Sequence, residues 1–108
     1  ASKKVDYAPD LILDDALAFV RANKEKPFFL YLALTVPHAN TAGGANGLDV
    51  PNLGPFAEKD WPAAEKAFAA QIRAMDRDVG RVLDLLAELK LDRDTLVLFA
   101  SDNGPHAE

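Results

Sequence analysis

Two uncharged and almost wholly apolar runs, residues 28–36 and 95–100, constrain this chain more than any other feature. Each is hydrophobic at odd and even positions alike, so both faces of a strand built from it must be shielded from water. Strands of that kind belong to central positions of α/β sheets. Neither run approaches the roughly 20 residues needed to cross a bilayer, so no transmembrane segment is expected. A long helical pattern lies between them. The order strand, helix, strand reads as a βαβ unit with parallel strands and a right-handed crossover.

The rest of the chain is placed around that unit. A first helix is expected over 10–23, where Ile12, Leu13, Ala16, Leu17, Phe19 and Val20 recur at three- and four-residue spacing. Pro9, Asp10 and Asp14 are its start signals, and Asn23 with the charged turn at 24–27 ends it. The strand over 28–36 stops at Pro37. Residues 37–60 form a loop with no periodicity, carrying four glycines and three prolines. Loops of that length in compact domains are functional or disordered. Within it, Asn40 and Asn46 either line a pocket or serve turn chemistry.

Asp60 and Pro62 open a second helix over 61–91. Its apolar stripe includes Phe68, Ile72, Met75, Val79, Leu83 and Leu86, with Met75 read as core. Arg73, Asp76, Arg77, Asp78, Arg81 and Asp84 read as a solvated face with i,i+3 pairs. Gly80 inside the helix costs about 1 kcal/mol against alanine unless close packing requires it. The second strand, 95–100, runs into a turn at 101–104.

Length and charge narrow the function classes. At 108 residues there is room for one domain. A net charge of −5 argues against nucleic-acid binding, which needs clustered Lys and Arg. With no cysteine there are no disulfides, thiolate metal sites or thiol nucleophiles in the chain. The charged start, Ser2-Lys3-Lys4, is not followed by an apolar stretch, so no signal peptide is read there.

Sites in open parallel α/β sheets gather beyond the carboxyl ends of the strands. Pro37-His38 follows the first run and Ser101-Asp102-Asn103-Gly104 follows the second, so parallel strands would put both on one edge. Asp102 and Asn103 offer hard oxygen ligands of the kind that calcium or magnesium takes. The same residues also make an ordinary Asp-Asn-Gly turn. His38 is either a loop histidine or an anion contact and general acid. His106, nearer the end of the chain, is a weaker candidate. No phosphate-binding Gly-rich loop, Gly-x-Ser-x-Gly elbow or His-Glu-x-x-His motif is present.

Three segments in order carry a family likeness: Asp6-Tyr7-Ala8-Pro9-Asp10 through Pro37-His38-Ala39-Asn40, then Phe68 to Leu83, then Asp94 to His106. Together they resemble the middle of a type I sulfatase, a member of the alkaline phosphatase superfamily. The resemblance implies part of an α/β sandwich around a mixed sheet, with residues 1–108 as a partial, internal piece of the catalytic domain. The expected fold class is therefore α/β, an incomplete parallel βαβ portion of an alkaline-phosphatase-like sandwich. By position, Asp102 and Asn103 match two calcium ligands, and His38 matches the histidine that contacts the sulfate and assists the leaving group. Asn40 and His106 are weaker candidates for substrate contact, carried from their position and not from the resemblance. The expected substrate is a sulfate ester.

The family's formylglycine nucleophile, in a Cys/Ser-x-Pro-x-Arg motif, and its N-terminal aspartate pair are absent from these residues. The resemblance places both outside this chain, along with the lysine that follows the Asp-Asn-Gly segment. The remainder of the sulfatase domain is then an expected partner, and the isolated chain is expected to be inactive. The resemblance suggests an exported, periplasmic or lysosomal setting, and these residues carry no address of their own. Alternative readings are a phosphatase or phosphonate-ester hydrolase of the same superfamily, and a non-catalytic α/β interaction module.

Overall fold

The computed structural model describes residues 6–39 and 47–104. Helix α1 spans Ala8–Asn23. It begins two residues before the expected Asp10, because the extended Tyr7 turns its carbonyl toward the Asp10 and Leu11 amides at 3.0 and 3.3 Å. Pro9 sits in the first turn, where its missing N–H costs nothing. Asp10 lies at the positive end of the helix dipole and Arg21 at the negative end. At the C-terminus Asn23 Nδ2 donates to the Phe19 carbonyl at 2.8 Å, satisfying a group left open by the helix end.

Helix α2 spans Ala63–Glu88, shorter at both ends than the expected 61–91. Pro62 has an extended backbone (φ −52°, ψ 147°), so helical geometry starts after it. At the other end Lys90 adopts the left-handed conformation, φ 59°. Leu91 N then reaches back to Leu86 O at 2.8 Å and Lys90 N to Ala87 O at 3.0 Å. That is a Schellman stop, and Leu91 completes it by packing onto the cluster that contains Leu86. Ahead of α2, Gly54–Phe56 form a short 3-10 turn. Gly54 has φ 55°, and a Cβ there would lie 2.8 Å from Arg73 Nη1.

The core sits where the helices meet. Val20, Leu85 and Leu86 are buried, with Leu17, Phe28, Leu30, Val82, Leu89 and Leu91 packed around them. Phe19 and Phe28 add an edge-to-face contact at 5.8 Å. Three ion pairs register the helices: Asp10–Arg77, Asp14–Arg81 and Arg21–Glu88, each joining residues 67 apart in sequence. A constant offset means that α1 and α2 run parallel. Antiparallel packing would bring Asp10 and Asp14 toward Asp84 and Glu88, and Arg21 toward Arg77 and Arg81. The charge pattern agrees with the parallel direction and would oppose the antiparallel one.

The expected parallel βαβ sheet is not found. Among the described residues the chain is helical, with no strand and no sheet. Residues 28–36 do alternate, with Phe28, Leu30, Leu32, Leu34 and Val36 leaning inward and Phe29, Tyr31, Ala33 and Thr35 facing out. Alternation makes a segment extended, but a strand also needs a neighbour's ladder of hydrogen bonds, and neither apolar run has one here. This corrects the α/β sandwich expectation for the chain. The shielding that both faces call for is also missing: Phe29 is 86% exposed and Tyr31 81%, while Leu96 and Leu98 are each 84% exposed.

The polar face of α2 is corrected too. Asp78, expected in solvent, has 0% exposure. Arg81 reaches across to Asp14 on α1, and Arg77 pairs both with Asp10 on α1 and with its own neighbour Asp78.

Candidate functional site

His38 lies in the turn that ends the first apolar run. Its amide donates to Thr35 O at 3.1 Å, and its side chain is exposed. Nδ1 lies 2.6 Å from the Ala39 carbonyl. A carbonyl only accepts, so Nδ1 carries the proton, and Nε2 is the lone-pair nitrogen of the neutral ring. The backbone thus fixes which nitrogen is offered to a ligand.

The turn after the second apolar run is held by two hydrogen bonds. Ser101 Oγ donates to the Asn103 carbonyl at 2.6 Å. Asn103 Nδ2 donates to Asp102 Oδ2 at 3.1 Å. The second bond turns the amide nitrogen toward the carboxylate and directs the amide oxygen, Oδ1, away from it. Two hard oxygen donors on adjacent exposed residues match part of a calcium site, which takes roughly 6–8 oxygens. Among the described residues no group of three or more His, Asp or Glu could hold a metal ion. Asp102 and Asn103 by themselves offer two such oxygens, short of a complete calcium site.

No hydrogen bond or ion pair among the described residues joins His38 to Asp102 or Asn103. Asn40, Asn46 and His106 lie outside the described residues. Two open apolar grooves flank the helices. One, of about 510 Å³, runs between α1 and the first apolar run, with Ile12, Phe19, Leu30 and Leu32 on its walls. The other, of about 380 Å³, is lined by Ile72, Met75, Asp76, Val79 and Phe99. Neither includes His38, Asp102 or Asn103. Their apolar linings suit packing rather than recognition of an anion.

A polar knot around the buried Asp78 went unread in the sequence. Arg77 Nε donates to Asp78 Oδ1 at 2.8 Å, Nη2 donates to Asp10 Oδ1 at 2.9 Å, and Nη2 also lies 2.7 Å from Asp78 Oδ1 as an ion pair. The hydrogen bond to Asp78 holds the Arg77 guanidinium above its usual pKa. Tyr7 lies beside this knot. Burial is the main cause that raises its phenol pKa, and Asp10 and Asp78 push the same way. Gln71 is also buried, and its Nε2 donates to Asp49 O at 3.0 Å. Gln71, Asp78 and Leu85 recur every seven residues on one face of α2. That spacing was the available signal, hidden because two of the three are polar.

The comparisons with known proteins define the class. The sulfatase family model matches residues 3–108, and the chain belongs to the sulfatase family. Mouse steryl-sulfatase is 39% identical over 110 residues, covering 100% of this chain and 16% of the relative. Human steryl-sulfatase is 34% identical, covering 87% of this chain and 14% of the relative. Dog N-acetylgalactosamine-6-sulfatase is 31% identical, covering 85% of this chain and 16% of the relative. The chain thus spans about a sixth of the length of the curated relatives it matches. No solved structure gives a significant match. Among the described residues no helix is long and apolar enough to cross a membrane.

Proposed function

We propose that this chain supplies part of the catalytic domain of a sulfuric ester hydrolase. The match to the sulfatase family over residues 3–108 carries the reading, because it spans both candidate turns. Asp102 and Asn103 serve as two calcium ligands, and His38 contacts the sulfate through Nε2. Calcium, when bound, polarises sulfate oxygens and offsets charge that builds up as the ester bond breaks. His38 in its protonated form donates a hydrogen bond to the sulfate or a proton to the departing oxygen. Asn40 and His106 are secondary substrate contacts.

The formylglycine nucleophile, the further calcium ligands and the faces that cover both apolar runs come from the remainder of the domain. The finished protein works in an exported, periplasmic or lysosomal setting, as the family suggests.

The test uses p-nitrophenyl sulfate with calcium present. Residues 1–108 alone give no turnover above background. A polypeptide joining them to the remaining segments of the domain turns over, and His38→Ala lowers kcat about a hundredfold, the low end of general acid catalysis. Turnover by the isolated chain, or an unaffected His38→Ala variant, contradicts the reading.

A further inference from the structure

We propose that Ser101 is a positioning residue for the metal-ligand turn, an inference that rests on the calcium-ligand reading of Asp102 and Asn103. Residues Ser101, Asp102, Asn103 and Gly104 are all exposed, so packing does not hold the turn in shape. Local hydrogen bonds do. The Ser101 hydroxyl donates to the Asn103 carbonyl at 2.6 Å and so closes the turn around Asp102. That bond fixes the direction of the Asn103 peptide and, with it, the path of the chain between the two ligand side chains.

The Asn103 amide then sets the side chains. Its Nδ2 donates to Asp102 Oδ2 at 3.1 Å, which makes Asp102 Oδ1 and Asn103 Oδ1 the oxygens available to a cation. Ser101 contributes no ligand itself. It acts by lowering the entropy that the turn loses when the two oxygens converge. A hydroxyl at this position is required, and threonine satisfies it while alanine does not.

The experiment is calorimetric titration of calcium into the apo form of the sulfatase domain that contains this segment, without any assay of turnover. Asp102→Ala abolishes binding at this site, Ser101→Ala weakens it about tenfold, and Ser101→Thr restores it, the scale expected for residues that orient metal ligands. Apo melting temperatures of the three variants are measured alongside, so that lost affinity is separated from lost fold. If Asp102→Ala keeps full affinity, the calcium-ligand reading itself fails. If Asp102→Ala loses calcium but Ser101→Ala does not, the positioning role fails alone. Failure of Ser101→Thr to restore affinity also overturns it.

Discussion

Arg77 bonds Asp10 on α1 and its own neighbour Asp78 at once, at 2.9 and 2.7 Å, so one guanidinium ties an exposed carboxylate to a fully buried one. The arrangement differs in kind from the Arg81–Asp14 and Arg21–Glu88 pairs, whose partners are all exposed. Exposed pairs are screened by water and salt, whereas a buried carboxylate depends on its counterion.

Removing Arg77 should therefore cost far more than removing Arg81. Arg77→Ala leaves Asp78 buried without its counterion and destabilises by about 3 kcal/mol. Arg81→Ala loses a surface pair worth roughly 0.2–1 kcal/mol. Urea unfolding of the two variants measures the difference, and Asp78→Asn in the Arg77→Ala background should recover part of the loss.

Two backbone positions should be improvable. An alanine Cβ at Gly80 meets nothing within 4 Å, so Gly80→Ala gains helix propensity of about 0.5–1 kcal/mol. Close packing is thus not the reason for this glycine among the described residues. Lys90 holds φ 59° at the α2 stop, so Lys90→Gly should stabilise by about 0.5–1 kcal/mol. Thermal melts test both, and a fall in melting temperature for either contradicts the local geometry.

The Tyr7 phenol should titrate above the ordinary value of 10.0, because burial and the nearby carboxylates disfavour the phenolate. A folded pKa raised above the unfolded one contributes stability that is fully present below pH 10. That contribution is lost as pH rises through the folded value. Absorbance titration of a Tyr31→Phe variant isolates Tyr7 from the other tyrosine. A Tyr7 midpoint at or below that of free tyrosine would refute the burial.

The isolated chain should self-associate. Phe29, Tyr31, Leu96 and Leu98 face water on extended segments without charge, a surface that invites edge pairing. Sedimentation should show mass rising with concentration, and Phe29→Lys with Leu98→Lys should reduce it. A monodisperse monomer at all concentrations would contradict this.

The helices were legible because three- and four-residue spacing and the Pro9, Asn23 and Pro62 signals are local. Their exact starts were not, since Tyr7 and Pro62 act through backbone geometry that residue type does not reveal. The apolar runs were legible as non-helical, but the sheet expected of them is not found among the described residues, because apolar composition does not supply the partner's ladder of hydrogen bonds that a strand needs. Of the site, the Asp102–Asn103 turn and His38 stood out by type and position. The Ser101 hydroxyl bond and the Arg77–Asp78 knot did not, because a charge at helical spacing reads as solvated until the opposite helix is in place.

The most direct measurement is nitrophenol release from p-nitrophenyl sulfate and p-nitrophenyl phosphate by residues 1–108 joined to the remaining segments of the domain. The account predicts hydrolysis of the sulfate ester, falling about a thousandfold in Asp102→Ala as the metal's several kcal/mol are lost. Preference for the phosphate ester, or undiminished sulfate turnover in Asp102→Ala, would contradict it.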